Sequence, residues 1–215
     1  LSYSKIYSIP MILLIGWRGS PSIKDEPRHT LTSKITEKIL KLYDIKTCII
    51  RKNNDLKKVS KIIDFSKKYK KPVACLVEPK IFSKINIKSK KNIYNSNLIY
   101  RPEVVKYILE LVKKNTKIIS TVGYVSRELH QIRKYYNYKN GKDFLMIGGM
   151  GHASMTSLGV SVADKNDVIC LDGDGAFLMH MGGVATSGIF GRKNFKYILF
   201  DNNSHESIGI QPTVS

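Results

Sequence analysis

Asp174 stands between two glycines in the run Leu171-Asp172-Gly173-Asp174-Gly175-Ala176, and an amide, Asn202, follows 28 positions later. The residues before the glycines, Asp167 to Leu171, predict a β-strand. A glycine turn, a helix and a second strand, Phe195 to Phe200, then lead to Asn202. A carboxylate and an amide at two adjacent strand ends can grip one hard cation, because Mg²⁺ takes oxygen ligands at octahedral spacing and commonly bridges to phosphates. Glycines on both sides of Asp174 let the backbone approach a diphosphate closely. As the chain turns, the backbone carbonyl of Ser204 can reach the same ion. Spacing alone leaves a plainer alternative open, in which Asp174 caps the following helix and Asn202-Asn203 form a turn.

Three further constellations could carry chemistry. Gly148-Gly149-Met150-Gly151-His152-Ala153-Ser154 combines glycine freedom with one bulky thioether, so a cofactor could lie against the backbone with Met150 beneath it. The same segment also reads as a strand-to-helix turn with a core methionine. His205 opens the loop His205-Glu206-Ser207-Ile208-Gly209-Ile210-Gln211-Pro212-Thr213 and could move protons near neutral pH. His180, in Met179-His180-Met181-Gly182, reads as packed or paired rather than catalytic. Trp17-Arg18-Gly19 through Asp25-Glu26-Pro27-Arg28-His29-Thr30 gathers arginines, carboxylates and a histidine, which suits anion recognition or acid-base work as well as a solvated loop.

The elements that must position these residues alternate along the chain. Ile9 to Gly16 is a short apolar run consistent with a buried strand. Helical periodicity covers Leu31 to Leu42 and Leu56 to Tyr69, and strands are predicted over Lys46 to Arg51 and Pro72 to Glu78. From Phe82 to Leu98 the chain turns polar and repetitive in Lys, Asn and Ser, which predicts a linker. A helix start at Arg101-Pro102-Glu103, a strand from Lys117 to Thr121, and helices over Ser126 to Tyr135 and Met155 to Ala163 follow. Such alternation predicts an α/β fold with mostly parallel sheets flanked by helices.

The 215 residues carry a formal charge of +19, from 36 Lys+Arg against 17 Asp+Glu. That excess would suit nucleic acid or an anionic membrane surface. The lysines are scattered, however, without interleaved aromatics or a recognisable nucleic-acid motif, so neither nucleic acid nor membrane is expected as a partner. No apolar run reaches membrane-spanning length. Cys48, Cys75 and Cys170 each lie in an apolar strand-like run with no metal or redox spacing. They read as buried thiols of a reducing, cytoplasmic compartment.

Taken together, the chain resembles the thiamine-diphosphate enzymes, and within them the phosphonopyruvate decarboxylases. The residues that carry the likeness are Ile15-Gly16-Trp17-Arg18-Gly19, Asp25-Glu26-Pro27, Ser126-Arg127-Glu128-Leu129, Gly149-Met150-Gly151-His152-Ala153-Ser154, Asp172-Gly173-Asp174-Gly175-Ala176, Met179-His180-Met181-Gly182 and Gln211-Pro212-Thr213. The resemblance implies two domains: residues 1–83 as the later part of a pyrimidine-binding domain and 99–215 as a diphosphate-binding domain, with 84–98 between them. It implies Mg²⁺ held by Asp174, Asn202 and the Ser204 carbonyl, with Asn203 as the alternative amide. Thiamine diphosphate would be bent over Met150, with Gly149 and Gly151 along its pyrimidine and Gly173, Gly175 and Ala176 along its diphosphate.

The implied activity is a carboxy-lyase acting on a small 2-keto acid, 3-phosphonopyruvate, with sulfopyruvate or another 2-keto acid as alternative substrate. Arg18 and Arg28 are candidates for holding the phosphonate, since guanidinium matches its geometry. His29 and His205 are the candidate proton donors. The resemblance also implies a homo-oligomer. The family's catalytic glutamate would precede Leu1, so the sequence reads as truncated at both ends. A basic, non-catalytic nucleic-acid-binding protein is the distant alternative.

Overall fold

Short apolar runs become parallel strands, and longer runs with helical periodicity cover them. The run Ile9 to Gly16, expected to be buried, instead forms an edge strand over Met11–Gly16 that alternates between half-buried and exposed residues, with Leu14 65% exposed. The computed structural model describes residues 2–25, 29–83 and 98–215. They divide into two units, Leu1–Lys91 and Asn92–Ser215. The expected linker, 84–98, lies outside the described residues apart from Leu98, and so do Glu26, Pro27 and Arg28.

The first unit runs α1 (Ser2–Ile6), β1 (Met11–Gly16), α2 (His29–Leu42), β2 (Lys46–Ile50), α3 (Leu56–Tyr69) and β3 (Pro72–Val77). Its sheet is parallel in the order β1-β3-β2. As central strand, β3 is buried along its whole length, which its uninterrupted Val-Ala-Cys-Leu-Val run requires. Alternate side chains serve two layers. Ala74 and Leu76 pack with Trp17 and Leu40, while Val73, Cys75 and Val77 pack with Ile50 and Ile62.

Cys48 departs from the expectation of burial. It sits on edge strand β2 and is half-buried, with its Sγ 3.4 Å from that of Cys75, its register partner on β3. Burial pushes the Cys75 and Cys170 thiols up to about 12, so both stay protonated and inert near neutral pH.

The second unit runs α4 (Arg101–Leu111), β4 (Lys117–Ser120), α5 (Tyr124–Tyr136), β5 (Lys142–Leu145), α6 (Ala153–Ala163), β6 (Val168–Gly173), α7 (Asp174–Met179), α8 (Gly182–Phe190) and β7 (Phe195–Phe200). A short antiparallel pair, β8 (Ser204–His205) and β9 (Gln211–Pro212), closes the described chain. The main sheet is parallel in the order β5-β4-β6-β7. From β4 the chain moves outward to β5, then crosses back to β6 and β7 on the other side. The strand order therefore reverses between β4 and β6, and a crevice opens at their carboxyl ends.

Helices α4 and α5 cover one face. Val105, Ile108 and Leu109 of α4 and Val125 and Leu129 of α5 pack with Ile118 and Leu171 of the strands. Leu129 is fully buried there. Leu129→Ala is expected to destabilise the protein by about 2–5 kcal/mol, read as a lower urea midpoint, because it leaves a cavity in a packed layer. Among the described residues no helix is long and apolar enough to cross a membrane.

Candidate functional site

Three loops meet at the carboxyl ends of β4, β6 and β7, and all three line one small pocket of about 60 Å³. The β4 loop brings Gly123 and Tyr124, where the 13-residue helix α5 begins and offers unpaired backbone N–H groups. Gly123 has φ of +113°, a conformation that glycine takes readily and that turns the chain sharply into α5. From the β6 loop come Gly173, Asp174, Gly175 and Ala176, and from the β7 loop Asn202, Ser204 and His205. Met150 reaches the same pocket from the turn before α6.

Asp174 is 4% exposed, an unusual place for a carboxylate. Its Oδ2 accepts the Ser204 N–H at 3.1 Å and the Thr213 hydroxyl at 2.7 Å. The Gln211-Pro212-Thr213 segment thus has a physical task. The β8–β9 pairing folds it back, and the Thr213 N–H donates to the Asn203 carbonyl at 3.0 Å, which sets the Thr213 hydroxyl on Asp174.

Asn202 is half-buried in the pocket, and its Oδ1 accepts the Ser204 N–H at 3.1 Å. Asn203 is exposed, with φ of +53°, at the turn of the loop. Ser204 is buried, and its Oγ has no hydrogen-bond partner among the described residues. Carboxylate, amide, hydroxyl and backbone oxygens make a hard donor set suited to Mg²⁺. No cluster of three or more His, Cys, Asp or Glu suited to a metal occurs among the described residues. A cation here would therefore complete its shell with water or phosphate oxygens, the usual habit of Mg²⁺.

Two glycines are fixed by close approach. A Cβ on Gly175 would run into the His205 imidazole, so that ring lies directly over the Asp174 turn. At Gly151, φ is +87° and a Cβ would come within 3.1 Å of Met179 Cβ and 3.2 Å of the Ala176 carbonyl oxygen. The Met150 turn is thereby seated against α7. Gly149 is exposed with φ of +60° and, like Gly151, borders Met150 in sequence without lining the pocket.

Asp172 lies just beneath, 1% exposed, accepting the Tyr197 hydroxyl at 2.9 Å and the Gly173 N–H at 3.0 Å. Burial raises its pKa above the ordinary value of 3.8, against the pull of those donors. A raised folded-state pKa means the native chain holds this proton more tightly than the unfolded one, so the contribution to stability falls as pH rises above about 4. Asp172→Asn is expected to remove that decline and to raise the melting temperature at pH 7, as followed by melting curves across pH 4–8.

Arg101 and Glu206 also line the pocket, and sequence reading assigned neither. Arg101 donates from Nε to Glu128 Oε2 at 2.6 Å, and from Nη2 to Glu128 Oε1 at 2.7 Å and Glu206 Oε2 at 2.8 Å. Glu128 beside it pushes the guanidinium above its ordinary pKa, so it stays charged. These partners lie 27 and 105 positions away, beyond any local pattern.

The remaining expected residues belong to the first unit. The Arg18 guanidinium is gripped by Asp25 through two bonds, Nε–H to Oδ2 at 2.9 Å and Nη2–H to Oδ1 at 2.8 Å. His29 Nδ1 lies 3.3 Å from Asp25 Oδ1. Gly19, with φ of +68°, abuts the His29 carbonyl at the start of α2, which holds this cluster to the helix. Arg28 lies outside the described residues. His180 is exposed rather than packed in the core, its ring 4.3 Å from that of His152.

Residues 121–215, which hold the three loops, match the thiamine pyrophosphate enzyme family, C-terminal TPP binding domain. Phosphonopyruvate decarboxylase of Streptomyces viridochromogenes is 28% identical over 96% of this chain and 55% of that protein. The chain is a homologue of the thiamine-diphosphate-dependent decarboxylases. Phosphonopyruvate decarboxylase of Streptomyces hygroscopicus aligns over the same share of this homologue, 96%, at 25% identity, covering 54% of that enzyme. Sulfopyruvate decarboxylase subunit beta of Methanocaldococcus jannaschii is 36% identical over 53% of this chain and 57% of its own. The chain spans just over half the length of these relatives.

Proposed function

We propose that the protein is a Mg²⁺- and thiamine-diphosphate-dependent decarboxylase that converts 3-phosphonopyruvate to phosphonoacetaldehyde and CO₂. The observation that carries this reading is the convergence of Met150, Asp174, Asn202 and Ser204 on one pocket at the switch point of a parallel sheet. Alignment of nearly the whole chain with phosphonopyruvate decarboxylases supports the substrate.

In this reading Asp174, Asn202 and the Ser204 carbonyl hold the cation, and the turn of Gly173, Gly175 and Ala176 admits the diphosphate. Gly149 and Gly151 flank the pyrimidine, and Met150 props the cofactor from below. When bound, thiamine diphosphate supplies the carbanion and the electron sink for loss of CO₂. The chain's own residues bind, orient and move protons. His205 is the proton donor on the diphosphate side, lying over Gly175. Arg18 and Arg28 hold the phosphonate, and His29 is the second candidate donor. Residues 1–83 act as the pyrimidine-binding part, and the protein works as a homo-oligomer.

Sulfopyruvate is the second reading, favoured by the 36% identity of the second unit's region to a sulfopyruvate decarboxylase subunit. The two substrates differ only in the anionic headgroup. Supplying the whole protein with Mg²⁺, thiamine diphosphate and either acid, and measuring CO₂ and aldehyde, separates them. The expected result is a higher kcat/KM for phosphonopyruvate. Preference for sulfopyruvate would favour the alternative, and release of CO₂ from neither would defeat both.

A further inference from the structure

The segment after Asn202 carries the Ser204 carbonyl and His205, yet it has little apolar packing to keep it in place. Ile208 and Ile210 are 68% and 58% exposed, and Glu206, Ser207 and Gly209 are exposed as well. A segment with few buried contacts takes its order from polar ties, and such segments open most easily. Ser204 and His205 are held by the β8–β9 pairing and by the Ser204 N–H, which donates to Asp174 and Asn202. Beyond His205 the ties are few: the Ile210 N–H donates to the His205 carbonyl at 3.2 Å, and Ser207 packs over Gly123. The longest-range tie is Glu206 to Arg101 at 2.8 Å.

Arg101 is well placed to transmit rigidity. It is the first residue of α4 and is clamped by two bonds to Glu128 of α5, so its head is fixed to two helices of the main core. A guanidinium lining a pocket expected to take a diphosphate invites a different reading, as an anion receptor. Charge argues against it. Glu128 and Glu206 together contribute two negative charges to one positive, so the cluster carries a net −1 and offers no surplus attraction to phosphate.

We infer that Arg101 is a positioning residue: through Glu206 it holds the Ser204–Ile208 segment at the pocket, so that Asp174, Asn202 and the Ser204 carbonyl are set in advance for one cation. This rests on the function proposed above. It assigns the Arg101–Glu206 pair the task of lowering the ordering cost of metal and cofactor binding, with no contact to either.

Two readouts on the natural protein test it. The first is amide hydrogen exchange of residues 204–210 without ligand, and the second is the Mg²⁺ concentration for half-maximal thiamine diphosphate binding. Glu206→Ala is expected to speed exchange in that segment and to raise the Mg²⁺ requirement about tenfold, the lower end for loss of an outer-shell partner. The melting temperature should barely move, because Arg101 keeps Glu128. Glu206→Gln, which retains an acceptor for the guanidinium, should fall between Glu206→Ala and the wild type. Arg101→Met should raise the Mg²⁺ requirement as much and also lower the melting temperature. Adding Glu206→Ala to it should cost no further Mg²⁺ affinity, since both remove one tie. Unchanged exchange and an unchanged Mg²⁺ curve in Glu206→Ala would overturn the inference, as would fully additive losses in the double variant. A wild type that binds no thiamine diphosphate would instead defeat the proposed function, and the exchange result would still decide whether Arg101 orders the segment.

Discussion

Asp174→Ala is expected to abolish Mg²⁺-dependent binding of thiamine diphosphate, with a loss on the order of 100-fold or more. Partners that merely orient a metal ligand cost roughly 10–100-fold when removed, and a direct ligand should exceed that range. Asp174 is the only carboxylate in the proposed ligand set, and Glu206, the other carboxylate lining the pocket, is engaged by Arg101. The substitution also removes the charged acceptor of the Ser204 N–H and the Thr213 hydroxyl, each of which keeps a second partner, Asn202 Oδ1 and Ser215 Oγ. The stability loss should therefore be about 1–3 kcal/mol, that of hydrogen bonds to a charged group. Asp174→Asn separates the two effects. It keeps an acceptor of the same size and should preserve most of the stability while still losing most of the binding. Calorimetry for binding and melting curves for stability give both numbers.

Asn202→Ala should weaken Mg²⁺-dependent cofactor binding by about tenfold or more, whereas Asn203→Gly should leave it unchanged. The two amides are neighbours in sequence but not in environment. Asn202 faces the pocket and accepts the Ser204 N–H. Asn203 is exposed in the left-handed region at φ of +53°, where asparagine and glycine are tolerated and larger side chains strain. Asn203→Gly therefore suits its backbone and leaves the fold intact. Titrations of both variants against Mg²⁺ check the contrast, and equal losses from the two would reassign the ligand.

Much of the scaffold was legible because its signals are local. Helix Leu56–Tyr69 and strand Phe195–Phe200 occupy the residues their apolar patterns predict. Strand β5, Lys142–Leu145, carries no such signal, because its four residues alternate between exposed and half-buried and form no apolar run. The single helix expected between Asp174 and the next strand is two, α7 and α8. The chain leaves helical geometry at His180, with φ of −139° and ψ of 42°, and resumes at Gly182. Helix α5 starts at Tyr124, two residues before the predicted Ser126, because the Gly123 turn launches it.

The pocket was partly legible for a related reason. Asp174 and Asn202 lie at the ends of strands that pair in register, with Gly173 opposite Phe200, so spacing and sheet geometry suffice to bring them together. Arg101 with Glu206, and Thr213 with Asp174, meet only through tertiary folding across 105 and 39 positions. Residue type alone cannot reveal such pairs. Arg101 reads in sequence only as a residue beside a helix-starting proline.

Calorimetric titration of the protein with thiamine diphosphate, with and without Mg²⁺, tests the central claim most directly. The predicted result is saturable binding that requires Mg²⁺ and disappears on chelation. Binding of equal strength without the metal, or no binding with it, would contradict the assignment of Asp174, Asn202 and Ser204 as a metal and diphosphate site.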